Sequence, residues 1–114
     1  MIEVFDRITS IIEENEYYYI YDFSYDMVCS KLTMSFCENP DDIQIELKIT
    51  FLEVEEFSNK KHHDPGNVCL AEMHNYNFEE KDGKVLVVIN TGSSNLHFYT
   101  LKKPILERVT NSYL

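Results

Sequence analysis

The chain has 114 residues, of which 44% are hydrophobic and fifteen are aromatic (seven Phe, eight Tyr, no Trp). That is enough for one real core and too short for two ordinary domains, and it excludes an intrinsically disordered chain. Twenty acidic against ten basic residues give a formal charge of −10, a field that repels phosphate and so argues against direct binding of nucleic acid.

The charge is one-sided. Residues 1–57 hold fourteen acidic and three basic side chains, whereas residues 58–114 hold six and seven. Solubility accounts for an acidic surface in general. Concentration in one half also fits a surface that recognises something basic.

Met1-Ile2-Glu3-Val4-Phe5-Asp6 has neither a basic segment nor a long apolar one, so no signal peptide is expected. No apolar run approaches the roughly 20 residues of a membrane span. Cys29, Cys37 and Cys69 are odd in number and unpatterned, and the first two lie on one predicted strand, roughly 26 Å apart when extended. Reduced thiols in a cytoplasmic protein, with no membrane association, are the expectation.

In chain order, Ile2, Phe5, Ile8 and Ile12 recur at helical spacing over residues 2–14, and Asn15 can end the helix. Residues 17–25, Tyr-Tyr-Tyr-Ile-Tyr-Asp-Phe-Ser-Tyr, read as a strand or an extended edge. Residues 28–37 alternate, with Val28, Leu32, Met34 and Phe36 facing one way. Asn39-Pro40-Asp41-Asp42 is a turn. Ile43, Ile45, Leu47, Ile49 and Phe51 alternate with polar residues and form the clearest half-buried strand, with a slip of phase after Phe51.

Ser58 to Asn67 reads as a polar loop, followed by a less regular strand over 68–80 and a turn at Asp82-Gly83. Val85 to Ile89 is continuously apolar, as in a central strand covered on both faces, and Leu96 to Leu101 is a last strand. Pro104 opens a short segment, Ile105 to Val109, that reads as a helical turn or an edge extension. The sum is a single α+β domain over residues 1–114: an N-terminal helix packed on a mainly antiparallel meander sheet of five or six strands.

Catalytic signatures are weak. Adjacent His62 and His63 point apart in an extended loop, and no CxxC or HExxH pattern supplies further ligands, so no metal is expected. Ser93, Ser94 and His97 lack a nucleophile elbow and a placed acid. Paired carboxylates arise by chance among twenty acids, and three glycines cannot build a phosphate cradle. A non-enzyme without a cofactor is therefore expected.

The segment from Glu16 to Asp26 stands out, with five tyrosines interleaved with carboxylates. Tyrosine supplies large, rigid contact area with an adaptable hydroxyl, and neighbouring acids steer and pair with Arg or Lys. The alternative is a strand whose tyrosines alternate between core and solvent. Glu53, Glu55 and Glu56 form a second acidic patch that can join the same surface.

Through Tyr17-Tyr18-Tyr19-Ile20-Tyr21-Asp22, Glu53-Val54-Glu55-Glu56 and the one-sided charge, the chain resembles the immunity proteins of bacterial toxin systems, including contact-dependent inhibition and other polymorphic toxins. The resemblance implies a one-to-one complex with a basic toxin domain, a nuclease in the usual case, whose active site is occluded. The expected partner surface is Tyr17, Tyr18, Tyr19, Tyr21, Asp22, Tyr25, Asp26, Glu53, Glu55 and Glu56, on a monomer or weak homodimer. The other class open to this sequence is a structural or adaptor subunit that self-associates through an exposed strand edge.

Overall fold

A computed structural model describes residues 1–39, 45–61, 71–92 and 94–110. The apolar stripe near the N-terminus forms α1 (Ile2–Asn15), burying Phe5, Ile8 and Ile12. Glu16 ends it in the left-handed region at φ 55°. The Tyr17 amide then donates to the Ile12 carbonyl at 3.0 Å, which satisfies one of the helix's last free carbonyls.

Eight strands follow: β1 (Tyr19–Asp26), β2 (Lys31–Cys37), β3 (Ile45–Phe51), β4 (Val54–Lys61), β5 (Ala71–Lys81), β6 (Lys84–Thr91), β7 (Ser94–Thr100) and β8 (Ile105–Thr110). The α+β class and the antiparallel pairing agree with the sequence reading, but the number of strands and the meander do not. The order across the sheet is β4-β7-β6-β5-β1-β2-β3-β8. It holds two three-stranded meanders, β1-β2-β3 and β5-β6-β7, each completed by a strand from the other half of the chain. After the first meander β4 pairs with β7, and after the second β8 pairs with β3.

Two corrections follow. The phase slip after Phe51 is no bulge: the chain crosses from one half-sheet to the other through Leu52 and Glu53, the latter at φ 47°. The stretch from Ser58 is not loop at its start, because β4 runs to Lys61. Both β4 and β8 lie at edges, and neither carries the clean apolar alternation that marks a strand with one buried face. Ile43 and the turn at residues 40–42 lie outside the described residues.

The two residues between β3 and β4 span only about 10 Å, so strands far apart in the sheet order must approach at one end. The sheet therefore folds back on itself. Phe51 of β3 meets Phe98 of β7 edge-on at 5.0 Å, and Phe57 of β4 lies 4.6 Å from Tyr25 of β1. The crossovers themselves touch. Thr100 Oγ1 donates to the Leu52 carbonyl at 2.6 Å, and Lys102 lies 3.2 Å from Glu53.

Helix α1 spans both halves. Phe5 lies 6.4 Å from Phe51 on one side and 5.1 Å from Phe78 on the other, and the Tyr17 hydroxyl accepts a 3.0 Å bond from Arg108 of β8. The result is one apolar cluster shared by helix and both half-sheets. The run from Val85 to Ile89 is covered on one face only: Val85, Val87 and Ile89 are buried, whereas Leu86 and Val88 are half-buried. Asp82-Gly83 forms a two-residue hairpin with both residues at positive φ, as a primed turn requires.

Candidate functional site

Position 21 decides where the tyrosines point. Ile20 pairs with Phe36 and Asp22 with Ser35, so Tyr21 is an extra residue in β1, a β-bulge. Alternation restarts after it. Ile20 faces the core before the bulge; Phe23 and Tyr25, opposite buried Met34 and Leu32, face it afterwards. Asp22, Ser24 and Asp26 consequently share the opposite face.

The expected partner surface is thereby divided. Tyr17 is 3% exposed, and its hydroxyl is held by Arg108, so it belongs to the core. Tyr18 and Tyr19 are half-buried, and Tyr19 and Ile20 pair with Glu72 and Ala71 of β5. The Tyr21 hydroxyl is buried, with no partner among the described residues. Tyr25 packs on Phe57.

The exposed group is the far end of the β1–β2 hairpin. Asp26 Oδ1 accepts the amides of Val28 at 3.0 Å and Cys29 at 3.1 Å, and Ser30 closes the turn at φ 52°. The Cys29 amide, followed by other turn groups and Lys31, holds the Asp26 carboxyl below its ordinary range. The braced turn holds out Met27, 80% exposed, and Val28, 94% exposed. Val28 thus stands in the turn, not at the start of a core-facing strand.

Hydrophobic patterning missed this pair because two apolar residues at a strand end look like core. The available signal was Asp26-Met27-Val28-Cys29-Ser30 itself, an Asp placed to bond amides two and three residues on.

The second acidic patch joins this end of the molecule. The Val54 amide donates to the Ser30 carbonyl at 2.9 Å, and Phe57 packs on Phe23 and Tyr25. Glu53, Glu55 and Glu56 therefore flank the hairpin that carries Asp22 and Asp26. Glu53 is ion-paired to Lys102; Asp22, Glu55 and Glu56 are exposed and unpaired among the described residues. The arrangement is an apolar tip with a carboxylate rim, suited to a partner with an apolar recess inside a basic surround.

A groove of about 360 Å³ lies between α1 and β5, lined by Asp6, Thr9, Glu13, Asn75, Tyr76, Asn77 and Phe78. Tyr76 donates to Glu13 at 3.2 Å, and burial together with the Glu13 charge pushes its hydroxyl up to about 12. A phenol so placed keeps its proton at neutral pH and braces helix against strand. Among the described residues no three His, Cys, Asp or Glu side chains converge to hold a metal, and no helix is long and apolar enough to cross a membrane. His62 and His63 lie outside the described residues.

No protein-family model matches the chain, and no curated protein matches it.

Proposed function

We propose that this protein is a binding protein of the immunity type, which neutralises a basic toxin domain by seating the β1–β2 hairpin in its active-site groove. The observation that carries the reading is the exposure of Met27 and Val28, at 80% and 94%, on a hydrogen-bonded turn surrounded by carboxylates. Burying two such side chains contributes about 1.5–3 kcal/mol each, so a partner that covers them gains an anchor. Asp22, Asp26 and Glu56 steer that partner, provided it is basic, and pair with it at the rim.

A nuclease fits because its groove must attract a polyanion and is cationic for that reason. Acidic residues on the inhibitor then stand where phosphates would lie. The reading requires no catalytic residue or cofactor, and it places the protein in the cytoplasm, where it would meet such a toxin.

The test is a pull-down from source-cell lysate with the tagged domain at low and high salt, followed by an activity assay on the captured protein. The expected result is one basic protein in equimolar amount whose catalytic activity the domain abolishes. Both capture and inhibition should be lost in Met27→Ser/Val28→Ser, and association should slow in Asp22→Lys/Asp26→Lys. Capture indifferent to all four substitutions would refute the proposal.

A further inference from the structure

Strand β4 stands at the end of the sheet order, with β7 on one side and no described strand on the other. A free edge of this kind offers unpaired amides and carbonyls to another strand. Its sequence from Glu55, Glu-Glu-Phe-Ser-Asn-Lys-Lys, is acidic at the start and basic at the end. Reversed onto itself, such a strand sets opposite charges against each other.

Whether they meet depends on the face each occupies. When a strand pairs antiparallel with its own copy, a given sheet face stays on the same side, so opposed residues must share a face. In a regular strand Glu55 and Lys60, five residues apart, would point to opposite sides. Here they do not. Glu55 lies opposite Tyr99, Ser58 opposite His97 and Lys60 opposite Asn95, equal two-residue steps along β7.

The register shift between Glu55 and Ser58, with Glu56 at φ 53°, takes up the extra residue. Glu55 and Lys60 are thereby carried on one face, equidistant from Ser58. Both are exposed, and neither belongs to an ion pair among the described residues. About four strand steps separate them, some 13 Å, so they cannot pair within one chain.

We infer that β4 is a self-recognition edge: two copies pair antiparallel about a twofold axis at Ser58, each Glu55 opposite the partner copy's Lys60. The other outer edge does not share this property. Overlaps of β8 with itself centred on Glu107 or Arg108 set Glu107 against Glu107 or Arg108 against Arg108, like charges in contact. Pairing through β4 joins two sheets into one and leaves Met27 and Val28 on separate turns. The inference is independent of the proposed toxin partner and assigns Glu55 to the contact between copies.

The test is sedimentation equilibrium at low salt from micromolar to millimolar protein, with circular dichroism to verify folding. The wild-type mass should approach twice the chain's 13.5 kDa. Glu55→Lys and Lys60→Glu alone each oppose like charges twice across the axis and should weaken the dimer by about tenfold or more. The double variant Glu55→Lys/Lys60→Glu inverts the pattern but keeps it complementary, and should restore the dimer.

An independent check uses Ser58→Cys with Cys29 and Cys69 replaced by serine, since residues meeting on the axis are close enough for a disulfide. Mild oxidation should then yield a covalent dimer. A monomer at all concentrations, open-ended growth, or a dimer that ignores both single charge reversals and fails to cross-link would overturn the inference.

Discussion

Replacing Phe5 by alanine tests whether the helix joins the two half-sheets. Phe5 is fully buried, 6.4 Å from Phe51 at the end of β3 and 5.1 Å from Phe78 in β5. Removing a buried phenylalanine costs about 3–5 kcal/mol through lost transfer energy and the cavity left behind. The two ring contacts place the value in the upper part of that range, near ~4 kcal/mol. For 114 residues the total stability is of order 6–17 kcal/mol, so the variant loses a large fraction of it.

Urea unfolding followed by circular dichroism measures the effect. With a slope of about 1.5 kcal/mol per molar, the midpoint should fall by ~2–3 M. Phe23→Ala is the control, because Phe23 is 36% exposed and touches Phe57 at 5.8 Å. It should cost about 1 kcal/mol. Equal shifts for the two variants would refute the reasoning, since Phe5 would then not be wedged between the halves.

Tyr76 should titrate near 12 against an ordinary 10.0, and Glu13→Gln should lower that value only in part, because burial is the larger cause. The neutral phenol is favoured by the fold, so its stabilising effect is complete below pH 10 and lost as pH rises through 12; phenolate absorbance and alkaline unfolding report it. Asp26 is shifted the other way: its bracing is present above 3.8 and lost as pH falls through its lowered folded value. Amide exchange at Val28 and Cys29 should therefore accelerate in acid, and at neutral pH in Asp26→Ala. Native alkylation read by mass spectrometry should modify exposed Cys29 and spare Cys37, whose thiol burial holds in the protonated form until the chain unfolds.

Much of the fold is local and therefore legible. The helix follows from apolar residues at helical spacing, and β3 from alternation between Leu47 and Phe51, because each pattern expresses one face turned to the core. The Asp82-Gly83 hairpin is chemistry of two residues. One-sided acidity is likewise a property of the chain, whatever its fold.

What the tertiary structure decided lies where local pattern is silent. Edge strands β4 and β8 have partners on one side only, so their sequences carry little periodicity and their places follow from the crossovers. The bulge at Tyr21 reverses which side chains face inward, and the bulge at Glu56 puts Glu55 and Lys60 on one face. A single inserted residue shifts strand phase by half a period, and only pairing with a neighbour reveals it. The aromatic segment was visible as composition. That Tyr17 is buried while Met27 and Val28 stand in solvent was settled by the packing of helix, hairpin and strand around one core.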